Sequence, residues 1–324
     1  MAKVSRSFCK IAAASLLASV MGCGEGGAEG ALGNLSVLLE AEETITGGIA
    51  AGPGPEAIQD GWSVAFDKYL VVIGDVKIQL ATDANVERTA EQLFAVDLTR
   101  VPESALPLWQ IDDLSAERWA FGYALRSAGP DVTPHDSVSA TDFAEMSENG
   151  WTYLIEARLE NPTGEACPPA SLAEPPAGAV PVRTDAEGNA CYAHTELGFR
   201  LGVPVEVEFA RCESDGLLGV AIPDGAAATV TATLHGDHMF FNGFPSEDEG
   251  GVTRLAQWVA DSDLDLDGEL TREELSSITL ADLPALANYQ FGGTAARLDT
   301  PWDYVIEQLR TQGHMNGEGE CTPL

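Results

Sequence analysis

The sequence predicts a mainly β protein with a C-terminal α-helical subdomain, laid out as a β-sandwich followed by a helix-loop-helix. Three observations predict it. Between residues 34 and 244, apolar residues alternate in short runs separated by turn residues, as in strands with one buried face. After Pro245 the apolar spacing becomes helical, at Val252, Leu255, Ala256 and Val259 and again at Trp302, Val305, Ile306 and Leu309. Residues 263–274 break that helical pattern with spaced carboxylates and one glycine.

The first 22 residues read as a targeting segment. Lys3, Arg6 and Lys10 make a basic start, and residues 11–21 are mostly apolar, long enough for a signal peptide and too short to cross a bilayer. Residues 23–33 are rich in Gly, Glu and Ala and read as a flexible tether. Strands are expected at 35–41, in two runs over 62–80, at 96–98, 106–109, 119–125 and 151–159, along 196–210 and along 227–241. A short helix is expected at 141–146. Residues 161–190 form a Pro/Gly/Ala-rich loop insertion within the 34–244 domain. In the 245–324 subdomain, helices are expected at 251–262 and 279–289. Another starts at Thr300-Pro301, a capping residue followed by a proline at the first helical position, and ends at Gly313.

Composition narrows the function. The chain carries 51 acidic against 17 basic residues, and three of the basic ones precede Cys23. Nucleic acid and anionic surfaces are poor partners for such a chain, and cations are good ones. Beyond Cys9 and Cys23 there remain Cys167, Cys191, Cys212 and Cys321, an even number that reads as two disulfides of an oxidising compartment. Three pairings are open. Cys167–Cys191, closing the Pro/Gly-rich loop, and Cys212–Cys321, tying the tail to the sheet, are favoured. No stretch holds eighteen consecutive apolar residues.

The acidic segment carries the most specific signal. Asp263, Asp265 and Asp267 fall at positions one, three and five, Gly268 at six, Glu269 at seven, Thr271 at nine and Glu274 at twelve. A hard cation of calcium's size takes six to eight oxygens, and this spacing supplies them around one sharp turn. Starting two residues earlier fails, because it puts Leu266 at the turn and Arg272 at the last ligand. A helix cap of the form Thr271-x-x-Glu274 explains two residues and leaves the aspartates and Gly268 unexplained. All twelve positions resemble an EF-hand calcium loop. The resemblance implies Ca2+ held by Asp263, Asp265, Asp267, the Glu269 carbonyl, Thr271 and a bidentate Glu274. No second loop is found to pair with it.

The tetrad Val20-Met21-Gly22-Cys23 resembles a bacterial lipobox. That implies cleavage before Cys23, its lipidation, and anchoring in the cell envelope through lipid. Gly24, in place of an aspartate, points to the outer membrane. As a whole the chain is similar to exported bacterial lipoproteins with a single EF-hand, and its β region also resembles prealbumin-type sandwich modules of bacterial surface lipoproteins.

A second set of ligand types lies at His235, Asp237 and His238, with His314 and Glu318 nearer the tail. Strand alternation puts His235 and Asp237 on one face and His238 on the other, unless Gly236 bulges. With His314 drawn in by the tail disulfide, these residues can bind zinc or copper; as an alternative they hydrogen-bond at the seam between sheet and helices. His194 is a further candidate. No G-x-S-x-G, H-E-x-x-H, P-loop or G-x-G-x-x-G is present, and no catalytic residue is expected. The expectation is a non-enzymatic, calcium-binding lipoprotein of the envelope in which calcium is structural. Transition-metal binding and a surface interaction module with an unidentified protein partner are the alternatives.

Overall fold

The computed structural model describes residues 31–244, 251–287, 289–292, 294 and 296–324. The expected signal peptide, the lipobox with Cys23 and the tether through residue 30 lie outside the described residues. At 42 % strand and 16 % helix the protein is mainly β, as expected.

The layering differs from a two-sheet sandwich. One hydrogen-bonded path runs through Glu269–Leu270, Glu196–Val203, Tyr153–Glu160, Ser63–Leu80, Arg118–Leu125, Val207–Ser214, Gly319–Pro323, Gly313–Met315, Ala227–Leu234, Gly33–Ala41 and Leu106–Leu114. Most neighbours are antiparallel, but Gly33–Ala41 lies parallel to Ala227–Leu234, and Glu269–Leu270 lies parallel to Glu196–Val203. The result is a curled mixed sheet whose inner face surrounds one large core.

The curl has a local cause in Ser63–Leu80, a single strand of 18 residues where two runs are expected. Its core-facing residues change phase twice: Val64, then Tyr69, Val71 and Ile73, then Val76 and Ile78 are buried. Each change coincides with a slip in register, between Phe66 and Lys68 against Tyr153–Glu160 and between Gly74 and Lys77 against Arg118–Leu125. An extra residue in one strand would send every later side chain to the wrong face. The sequence compensates by shifting its apolar positions by one, and the bulges bend the strand. Leu70 and Val72 face outward and pack with Ala95, Leu154 and Met146. Met146 comes from the helix Ala140–Asn149, which Ser139 caps by accepting from the Asp142 N–H and which ends at Gly150 with φ 64°.

Three buried tyrosines on the inner face fix the C-terminal segment. Tyr69 donates to Gln312 Oε1 at 2.7 Å, Tyr153 to the Leu309 carbonyl at 3.2 Å, and Tyr123 to the carbonyls of Thr233 and His314 at 3.1 and 3.0 Å. A buried phenol needs a partner, and here each partner lies in distant sequence. Trp258, Leu275, Tyr304 and Leu309, from beyond residue 251, share the core with Leu35 and Tyr69.

Helix is shorter than expected in this region. Only Gln257–Asp261 of the 251–262 stretch is helical, because residues 253–255 run extended and the Arg254 backbone bridges both Ile58 and Phe241. The 279–289 stretch forms two 3-10 turns, Leu280–Asp282 and Pro284–Leu286. Pro284 lacks an N–H and biases Leu283 away from helix. Pro301–Leu309 is helical, with Thr300 as its capping residue. It gives way to chain that returns to the sheet at Gly313–Met315.

Candidate functional site

The acidic loop is built on the sheet edge. Glu269 and Leu270 pair with Gly198 and Phe199, and the Gly198 N–H donates to the Gly268 carbonyl at 2.8 Å. Gly268 takes φ 88°, the turn that position six requires. Short helices frame the loop, Gln257–Asp261 before it and Arg272–Ser277 starting within its last three residues.

Within the loop, oxygens of Asp263, Asp265 and Glu274 come within 4.8 Å of one another. Asp263 is fully buried. Its Oδ2 accepts from the Gly268 N–H at 2.9 Å and lies 3.2 Å from His194 Nε2. Its Oδ1 has no hydrogen-bond partner. Burial works to raise this carboxyl's pKa, but His194 and the Gly268 N–H outweigh it and hold the group below the usual range. Asp265 is shifted the other way, by its own desolvation and then by the charges of Asp267 and Asp263. Glu274 accepts from the Leu264 N–H through Oε1 at 2.9 Å and from the Thr271 N–H through Oε2 at 2.8 Å. The Thr271–Glu274 capping box is therefore present together with the ligand arrangement. Asp267 Oδ1 accepts from the Glu269 N–H at 2.9 Å. Asp267, Glu269 and Thr271 occupy their loop positions without joining the close carboxylate group.

Cys167 bonds to Cys191, and Cys212 to Cys321, the favoured pairings. The first bridge sits beside the acidic loop. The Cys167 N–H donates to Asp261 Oδ1 at 2.7 Å, and Gln257 Nε2 donates to the same oxygen at 2.9 Å. Burial raises the Asp261 pKa to about 7. The 161–190 segment thus braces the loop, a role that its composition did not suggest. His194 likewise follows the Ala190–Ala193 strand to reach Asp263, and no spacing in the sequence signals that contact.

The histidines are placed differently from strand alternation. The strand stops at Leu234, and a 3-10 turn begins at His238, so His235 and His238 turn to the same place. Thr233 pairs with His314 across the sheet. Ring centroids lie 4.0 Å apart for His235 and His314, 5.4 Å for His238 and His314, and 5.7 Å for His235 and His238. All three are buried. Burial, then His235 and the Arg254 charge, depress His238 well below its ordinary value, and burial, then His235 and His238, push His314 down to about 2. Asp237 is not gathered with them: its Oδ2 accepts from Arg254 Nε at 2.6 Å. Glu42, which the sequence did not single out, puts Oε2 3.6 Å from His235 Nδ1. Oxygens of Glu42 and Glu318 and a His235 nitrogen form a second close group.

Two disulfides suit an oxidising, extracellular environment. Among the described residues no helix is long and apolar enough to cross a membrane. Comparison with protein-family models, curated proteins and solved structures returns no match for this chain.

Proposed function

We propose that this chain is a non-enzymatic, calcium-binding lipoprotein of the cell envelope, held through lipid on Cys23 at the outer membrane. One Ca2+ in the 263–274 loop fastens its C-terminal helices to the sheet as an EF-hand. The observation that carries the reading is Asp263. A fully buried carboxylate with one oxygen oriented by Gly268 and the other without a partner is costly unless a cation completes it. Asp265 and Glu274 supply further oxygens within reach. An EF loop commonly pairs with a second loop; in this reading the contact of Glu269–Leu270 with Glu196–Val203 substitutes for it. A loop so braced suits a structural ion more than a sensor that opens. Extracellular calcium modules bind at about 10⁻⁴–10⁻³ M, so millimolar calcium fills the site.

The test is thermal unfolding of the protein lacking residues 1–22, in chelator and across a calcium titration. Calcium at about 100 times Kd is expected to raise Tm by roughly 3–8 °C. The Asp263→Ala/Glu274→Ala variant is expected to show no such rise. An equal rise in both proteins, or none in either, rules the reading out. Palmitate labelling that disappears in Cys23→Ala tests the anchor separately.

A further inference from the structure

The cleft beside the Ala227–Leu234 strand holds a second, chemically different arrangement. Glu42, Glu56, His235, Asp237, His238 and Glu318 are among the residues that line its volume of about 400 Å³. One ring nitrogen from each of His235, His238 and His314 lies within 4.8 Å of the others.

The hydrogen bonds fix which nitrogens are free. Thr311 Oγ1 donates to the Gln308 carbonyl at 2.8 Å, so it must accept from His238 Nδ1, 2.7 Å away. That leaves the lone pair on His238 Nε2. His235 Nε2 lies 3.2 Å from the Gly317 carbonyl, which can only accept, so the His235 lone pair is on Nδ1. In both residues a backbone or hydroxyl oxygen holds one N–H and leaves the other nitrogen with its lone pair, the arrangement that orients imidazole ligands around a metal. His314 is 8 % exposed, and neither of its ring nitrogens makes a hydrogen bond of good geometry, the Gly319 backbone alone drawing on the ring. A seam histidine would hold a full hydrogen bond, whereas this buried ring leaves at least one nitrogen open to a ligand.

The donor type chooses the metal. Three neutral imidazoles suit zinc and copper, whereas calcium and magnesium take oxygen. The positive charge nearest the cleft is already matched, because Arg254 pairs with Asp237 and with Glu56 Oε2 at 2.6 Å. Apart from these three, the carboxylate-bearing residues of the lining are Glu42, Glu318 and Glu320, which favour a cation over an anionic substrate.

We propose that His235, His238 and His314 bind one divalent late first-row ion, of the class of Zn2+ and Cu2+, with a carboxylate of Glu42 or Glu318 available as a fourth ligand. The two candidate sites lie far apart in the strand order, and this one does not rest on the calcium reading.

The experiment uses the chain without residues 1–22, saturated with calcium and titrated with Zn2+ and, separately, with Cu2+ against a competing chelator. One ion per chain is expected, and the Cu2+ paramagnetic resonance spectrum is expected to show hyperfine splitting from imidazole nitrogen. His314→Phe keeps the ring packing, and His238→Gln keeps a polar partner for Thr311. Each is expected to weaken binding at least ~100-fold with Tm in chelator unchanged or higher. Asp263→Ala/Glu274→Ala is expected to retain the ion, so failure of the calcium loop and failure of this site read differently. Wild-type binding of both metals no tighter than that of His314→Phe overturns the proposal, as does a spectrum with oxygen ligands alone.

Discussion

Asp142 and Asp263 are both buried carboxylates, and their surroundings give them different tasks. Asp142 has both oxygens satisfied. Lys68 Nζ and Arg200 Nη2 reach Oδ1 at 3.1 and 3.2 Å, and Ser139 Oγ donates to Oδ2 at 2.6 Å. Burial works against its charge, but Ser139, Lys68 and Arg200 outweigh burial and lower its pKa. A carboxyl depressed in the folded state adds stability above its ordinary pKa near 4 and loses it as pH falls through the lower folded value. Asp142→Asn is therefore expected to cost about 1–3 kcal/mol at pH 7. The gap from wild type should narrow below about pH 4, as measured by urea unfolding at both pH values. The asymmetric Asp263, with one oxygen oriented and one unpartnered, suits a ligand position. Its place in a twelve-residue pattern was legible in sequence. Its contact with His194 was not, because it depends on a disulfide-braced segment returning to the loop.

Among the elements, the two-residue strand Glu269–Leu270 matters beyond its length. It joins the acidic loop to the sheet edge and places Leu270 in the core. Leu270→Ala is expected to destabilise the protein by about 2–4 kcal/mol and to weaken calcium binding, because the loop loses its anchor. Calorimetric titration of calcium into this variant and into wild type, both folded at low temperature, checks the second effect. Element type is readable where a local pattern decides it: the strands at 35–41 and 119–125, the short helix expected at 141–146, which extends over Ala140–Asn149, and the Thr300-Pro301 start. It was misread where a distant partner decides. Residues 253–255 carry helical apolar spacing but extend, because the Arg254 backbone bridges Ile58 and Phe241. A strand continued to Phe241 puts His235 and His238 on opposite faces unless Gly236 bulges. The strand stops at Leu234, and the turn that follows brings them together.

At the scale of the molecule, the larger core lies within the large curled sheet on a chain of formal charge −34. Such an excess repels itself, and salt screens it with a Debye length of about 10 Å at 0.1 M. Sodium chloride from 0.02 to 0.2 M is expected to raise Tm equally in wild type and in Asp263→Ala/Glu274→Ala. Calcium chloride at matched ionic strength should add a further rise in wild type alone, and differential scanning calorimetry reads both. The sandwich expectation differs from the large curled sheet because bulges and strand order follow from pairing between remote segments, whereas alternation reports only that a strand has a buried face. The pairing of Gly33–Ala41 has a consequence for how the protein is made. One flank of that strand meets Leu106–Leu114, and the other meets Ala227–Leu234. During vectorial synthesis its second flank stays bare until most of the polypeptide has emerged, with Leu35, Val37 and Leu39 unshielded. A high contact order of this kind makes folding slow and leaves a sticky nascent edge. The early chain is therefore expected to stay without its native packing until its last neighbour arrives.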